Sequence, residues 1–191
     1  MKIAILGGSG KLGHGLVLRL ASHELRTGSR DPAKGIPYPE AAAWCDLAIV
    51  SAPYSVHQTL LDAIKDGLRG KIVVDATVPL DPANPTRILT ATGLSAAEEA
   101  AKLIPDAQVF AAFQTISHHV LMKPDVSADV LVVGGIPGRD VVLDVIRGMN
   151  LRPVLAGPLT SAGHIERLTA LLISINKANK VRESSIRIEG I

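Results

Sequence analysis

Cysteine is all but missing from this chain. Cys45 stands alone, which excludes an internal disulfide and leads us to expect a reducing, cytoplasmic setting. Aromatic residues are scarce too, at 3%, so Ala, Val, Leu and Ile must supply the core implied by a 47% apolar composition that excludes a disordered chain. No apolar run approaches the roughly 20 residues that cross a bilayer. The apolar start Ile3 to Leu6 stops at Gly7, too short for the core of an export signal. Net charge is only +2, too small to argue for nucleic acid. The basic tail, with Lys177, Lys180, Arg182 and Arg187, suits a small polyanion better than a duplex.

Several catalytic inventories are absent as well. Six histidines are scattered along the chain, none paired at i, i+4 on an expected helix, and adjacent His118 and His119 are expected to point apart, so no metal site is expected. No nucleophile elbow supports Ser/His/Asp hydrolysis. The Tyr-x-x-x-Lys pair of short-chain dehydrogenases is missing, because Tyr38 is followed by Ala42 and Tyr54 by Gln58. No lysine sits where a 3-hydroxyacid dehydrogenase needs its acid. Hydride transfer between two cofactors needs mainly juxtaposition and electrostatic complementarity, and is compatible with so bare a set.

What is present begins at the N-terminus. Lys2 to Leu6 reads as a buried strand and breaks into glycines that open an amphipathic helix marked by Leu12, Leu16 and Leu20. Gly8, Gly10 and Gly13 fit G-x-G-x-x-G, in which the glycines serve a tight turn, backbone approach to a pyrophosphate, and close packing of helix on strand. The helix-start amides, Lys11 and Leu12 among them, would face the phosphates. A second strand, Glu24 to Gly28, exits into Thr27-Gly28-Ser29-Arg30, with Lys34 close behind. An NAD enzyme places an acid there for the ribose hydroxyls; a hydroxyl and cations instead favour NADP, with Ser29 and Arg30 sharing a 2′-phosphate.

The remainder alternates. Helices are expected over Glu40 to Cys45, from Val56 to Leu68, from Ser95, whose pairing with Glu98 forms a capping box, and over Arg139 to Met149. A long final helix from Ser161 to Lys180 has Ile165, Leu168, Leu172 and Ile175 as its inner face. Strands are expected at Asp46 to Ala52, Lys71 to Val74, Ala107 to Ala112, Asp129 to Gly134 and Arg152 to Ala156, with Ile186 to Ile188 a terminal strand or extended tail. The expected fold is α/β: a Rossmann-like doubly wound, mostly parallel sheet extended by a small C-terminal α/β part and a long C-terminal helix. Residues 1–116 form the NADP-binding part and 117–191 an extension within the same compact unit.

Gly7-Gly-Ser-Gly-Lys-Leu-Gly13, Gly28-Ser-Arg30, Asp46-Leu-Ala-Ile-Val-Ser-Ala-Pro53, Lys71-Ile-Val-Val74, Ala156-Gly-Pro-Leu159 and the ending Ile186-Arg-Ile-Glu-Gly-Ile191 together resemble the F420-dependent NADP reductases across nearly the whole chain. The resemblance implies reversible hydride transfer between the nicotinamide C4 of NADP(H) and C5 of F420, an 8-hydroxy-5-deazaflavin. It implies that Ser9, Gly10, Lys11, Leu12, Ser29, Arg30 and Lys34 hold the adenosine side of NADP, with Tyr54 and Val78 along its course. Gln114, Ile116, His118, Thr169 and the tail would surround nicotinamide and deazaflavin, Gln114 and Thr169 in the catalytic positions. Two departures stand out: a helix and edge strand usual after Gly-Ser-Arg are missing, and Gln114 occupies a position where the family tends to have histidine. An NADPH-dependent reductase of a flavin, ferric chelate or small carbonyl compound, and a non-catalytic NADP-binding sensor, are the alternatives. The expected partners are small molecules and a second copy of the chain, with no nucleic acid and no membrane.

Overall fold

In the computed structural model, which describes residues 1–191, the chain forms seven strands: β1 (Lys2–Leu6), β2 (Glu24–Gly28), β3 (Leu47–Val50), β4 (Ile72–Asp75), β5 (Gln108–Ala111), β6 (Asp129–Gly134) and β7 (Arg152–Gly157). Between and after them lie α1 (Lys11–Arg19), α2 (Tyr38–Trp44), α3 (Tyr54–Ile64), α4 (Ala96–Leu103), α5 (His118–Leu121), α6 (Arg139–Gly148) and α7 (Ala162–Asn179). All strands join one sheet in the order β2-β1-β3-β4-β5-β6-β7. The first five are parallel; β6 runs antiparallel to β5, and β7 parallel to β6.

Strands covered on both faces read as unbroken apolar runs, and Ile3–Leu6 and Leu47–Val50 are wholly buried. Alternation divides the core in two. Ile3 and Ile5 join Leu16, Leu20, Val120 and Ile146 on the face covered by α1, α5 and α6; Ala4 and Leu6 join Ala41, Leu60, Leu61 and Ile64 on the face covered by α2 and α3. The strand order reverses at β1, with β2 on one side and β3 on the other. A crevice therefore opens beyond the carboxyl ends of these strands, where doubly wound sheets take their ligands. Because Gly134 pairs with Phe110 and Val133 with Ala111, antiparallel β6 brings Asp129 to that same edge.

The structure corrects several expected details. Helix α2 starts at Tyr38, because Pro39 is tolerated in a first turn where its missing N–H has no intrahelical partner to lose, and Cys45 lies just past its end. Leu168 is only half-buried and Ile175 is 39% exposed; the inner face of α7 is instead Ala162, Ile165, Glu166, Ala170 and Leu172. Burial stops at Leu172, and beyond it Asn176 turns to the tail, its Oδ1 accepting from Ser184 N–H at 3.1 Å. Residues 186–188 add no strand; the tail is held at single points, such as Asp129 N–H to Ile186 C=O at 3.3 Å. The His118 and His119 rings do not point apart: their centroids lie 3.9 Å from each other at the start of the four-residue α5. No helix is long and apolar enough to cross a membrane.

Candidate functional site

A cleft of about 560 Å³ lies at the carboxyl edge of the sheet, where β1 pairs with both β2 and β3. It gathers Ser9, Gly10, Lys11 and Leu12 from the glycine loop, Ser29, Arg30 and Lys34 from the β2 exit, and Tyr54 and Val78 from the ends of the next two strands. Gly8 and Gly13 lie beneath it. A Cβ on Gly13 would fall 2.4 Å from Gly8 Cα and 2.7 Å from Gly7 O, so α1 can sit this close to β1 only without a side chain there. The turn itself belongs to a glycine outside the expected triplet: Gly7 has φ +93° and abuts the Ser51–Ala52 backbone.

Helix α1 begins without a side-chain cap and without an acid in its first turn. Its leading N–H groups therefore have no acceptor from a capping side chain, and the positive end of the helix faces the cleft. That donor set fits a pyrophosphate. At the β2 exit Ser29 is 8% exposed, its Oγ accepting the Asp31 N–H at 3.1 Å while its hydroxyl proton stays free. Arg30 is exposed at the rim. Asp31, an acid not anticipated in the lining, is turned away from sugar recognition: it accepts from Ala33 N–H at 3.0 Å and pairs with Lys34 at 3.2 Å. These contacts hold its carboxyl below the usual range. The β2 edge is bare, and the loop after Arg30 returns only as far as a single bridge from Ile36 to Gly28.

The residues expected around the acceptor lie outside this lining. Gln114 is 5% exposed; its Nε2 donates to the Asp75 carbonyl at 2.8 Å, while Oε1 is buried without a partner in the chain. Thr169 donates its hydroxyl to Gln114 O at 2.9 Å and Ile165 O at 3.1 Å, which joins α7 to the β5 exit. Ile116, 6% exposed, belongs to the apolar core, packed between strands and α5. His118 is half-buried, and burial, then the charges of His119 and Lys11, hold its ring below the usual histidine range. That proximity to Lys11 sets it beside the glycine loop.

A buried polar group behind the cleft was not foreseen. His57 Nε2 donates to Asp75 Oδ2 at 2.6 Å, with the two side chains 1% and 0% exposed. Burial alone would lower the imidazole, but the carboxylate outweighs it and leaves His57 above the usual histidine range. Tyr54 stacks on His57, with centroids 6.1 Å apart, and donates to Glu99 at 2.9 Å. Desolvation and Glu99 push its phenol up to about 12. Glu166 accepts from Ala96 N–H at 2.7 Å, and burial pushes its carboxyl up to about 8. The signals were present: a histidine inside the apolar stripe of α3, and acids at the end of an apolar strand and beside Ile165, are polar groups that must find partners once buried.

Fold, uncapped glycine loop and Ser-Arg exit together define a dinucleotide-binding Rossmann protein. The family model described as NADP oxidoreductase coenzyme F420-dependent matches residues 2–79. The chain is 34% identical over 225 positions to an F420-dependent NADP reductase of Methanothermobacter marburgensis, covering 100% of this chain and 99% of that protein. It is 34% identical over 221 positions to its counterpart in Methanocaldococcus jannaschii, with the same coverage. A solved structure of a putative F420 dependent NADP-reductase from Arthrobacter sp. FB24 superposes with a TM-score of 0.87 over all of both chains, at 23% identity. The chain belongs to the F420-dependent NADP reductase family. Since 225 aligned positions exceed its 191 residues, the archaeal relative carries residues without a counterpart here.

Proposed function

We propose that this protein transfers a hydride reversibly between NADP(H) and coenzyme F420. The observation that carries the reading is the single cleft in which the uncapped start of α1 meets Ser29 and Arg30, in a chain related over its whole length to F420-dependent NADP reductases. When bound, the nicotinamide supplies or receives the hydride at C4 and the deazaflavin at C5. The protein's own part is to hold and orient. Lys11 and Leu12 N–H groups bind the pyrophosphate; Ser29 and Arg30, with Lys34 near, take the 2′-phosphate; Tyr54 and Val78 wall the path toward the β4 and β5 exits. Gln114 and Thr169 border the transfer site, and the carbonyl–hydroxyl bond between them fixes the distance from β5 to α7. His118 and Ile116 shape the adjoining wall.

Residues 1–116 serve NADP and 117–191 the acceptor, with the tail's cations meeting the coenzyme's anionic side chain. A homodimer is supported by Leu171 and Ile175, exposed on α7 at 55% and 39%. The setting we expect is the cytoplasm, with no nucleic-acid partner. Label transfer tests the chemistry: NADPH deuterated at C4, mixed with oxidised F420 in protiated water, should deliver deuterium to C5. Incorporation of solvent hydrogen alone would overturn direct transfer.

A further inference from the structure

We propose that Asp75, paired with His57, is a positioning residue for the hydride transfer, holding three walls of the cleft in register from behind. The inference rests on the functional reading above. Asp75 sits at the end of β4, fully buried, and every polar atom it can offer is used. Oδ1 accepts the Thr77 N–H at 2.8 Å, which fixes the turn that presents Ala76, Thr77 and Val78 to the cleft. Oδ2 accepts from His57 at 2.6 Å, one helical turn after Tyr54, another cleft residue, whose ring stacks on that histidine. The backbone carbonyl accepts the Gln114 amide at 2.8 Å, and Gln114 in turn accepts from Thr169 on α7. One residue thus joins the β4 exit, the start of α3 and the β5 exit.

A buried ion pair is a poor device for stability, since apolar residues of the same volume commonly do as well. What it supplies is directional: side-chain bonds of fixed length that join three segments beyond the backbone ladder their strands already share. Reacting carbons must approach within about 3–3.5 Å, and an error of about 1 Å costs on the order of 100-fold in rate. The groups around His57 are Asp75 from β4, Glu99 from α4 and Tyr54 from its own helix, with Lys102 on the same cavity wall and Glu166 of α7 facing Asp75. The pair is fully charged only while His57 keeps its proton, and loss of that proton leaves Asp75 beside other carboxyl groups without a cation in contact.

Two variants test this, Asp75→Asn and His57→Gln, each in the whole protein. Three quantities are measured between about pH 6 and 9: NADPH affinity by calorimetry, the single-turnover rate of F420 reduction, and the emission of bound NADPH, which reports the nicotinamide seat without any acceptor. Asp75→Asn should slow transfer by about 10- to 100-fold while NADPH affinity, set chiefly by the glycine loop, Ser29 and Arg30, which Asp75 does not touch, changes no more than about threefold. In the wild type the rate should fall as pH rises through the His57 titration. His57→Gln should sit near the high-pH rate throughout, so that the wild-type-to-variant ratio varies with pH and the common ionisation of the coenzyme cancels. Bound-NADPH emission should show the same pH dependence in the wild type and lose it in both variants. If the wild type reduces no F420, the functional reading fails, and emission still decides the positioning claim. A pH-independent ratio and unchanged emission, in variants that are merely less heat-stable, would overturn it.

Discussion

Arg152 grips Asp129 with two parallel bonds, Nε to Oδ1 at 2.7 Å and Nη2 to Oδ2 at 2.6 Å, and the Ile188 N–H closes on the same carboxylate at 2.6 Å. The Arg152 guanidinium also donates to the Ile188 carbonyl. The pair thereby straps the C-terminal tail across the start of β6, at the sheet edge that carries the cleft. Arg152 first, helped by the Ile188 N–H, holds the Asp129 carboxyl below the usual range. A depressed carboxyl contributes stability above its unfolded value, lost as pH falls through the folded one. The tail should therefore stay attached at neutral pH and release only in acid. Asp129→Asn should release it at neutral pH, at a cost of about 2–3 kcal/mol, seen as faster hydrogen exchange at residues 186–191; unchanged exchange there would contradict the strap.

Arg30 lies exposed at the rim with Ser29 beneath it. Losing its charge-assisted bonds to a phosphate should cost about 1.5–3 kcal/mol, so Arg30→Ala should weaken NADPH binding by about 10- to 100-fold. NADH binding should stay within about twofold, because it has no group for this guanidinium to meet. Calorimetric titration with both cofactors checks it, and equal losses would remove the basis for NADP selectivity.

These two sites differ in how legible they were. The glycine loop and the Ser29-Arg30 exit depend on local backbone, a strand running into a turn, so spacing alone was enough to assemble them, and β1, β2 and β6 were bounded correctly for the same reason. Asp129 is different. Its partner is 23 residues away in β7 and its third contact 59 residues away in the tail, a meeting created by the parallel β6–β7 register and the return of the tail. The same holds for His57 and Asp75, which meet only where helix α3 folds back beside the end of β4, and for Glu166, whose neighbour Ile165 looked like the whole story. Periodicity marks a face as inward; it does not say which polar group on that face is met by which partner. Gly7 was passed over because the three-glycine spacing is satisfied without it, while the left-handed turn requires it.

Arg19 caps the far side of the core. Its guanidinium donates to the carbonyls of Val120, Leu121, Lys123, Pro124, Val126 and Met149 at 2.6–3.1 Å, and the residue is 7% exposed. It binds α5 and the segment after it to the residue that follows α6. Arg19→Met leaves those carbonyls unpaired in place and should cost about 3–5 kcal/mol, a drop of roughly 10 °C in melting temperature for a chain of this size. NADPH affinity of the folded fraction should not change. A melting temperature within about 2 °C of the wild type would contradict the assignment.

Glu166 titrates in the opposite sense to Asp129. Burial raises it to about 8 in the folded protein, against an unfolded value of about 4.3. A raised group contributes fully below its unfolded value, and that contribution is lost as pH climbs toward the folded one. Glu166→Gln keeps an oxygen for the Ala96 N–H and removes the titration. The variant and wild type should melt together near pH 4, and the variant should gain progressively between about pH 4.3 and 8. A constant difference across that window would contradict a buried, protonated Glu166.

The most direct measurement is anaerobic mixing of the protein with NADPH and oxidised F420, following loss of the deazaflavin's visible absorbance, with NADH in place of NADPH and FMN in place of F420 in parallel. Rapid loss with NADPH and F420 alone is the predicted result, as expected if the β2 exit reads the 2′-phosphate and the C-terminal part completes an acceptor site, as proposed. No loss under conditions where calorimetry shows NADPH bound, or equal rates with FMN, would contradict the account.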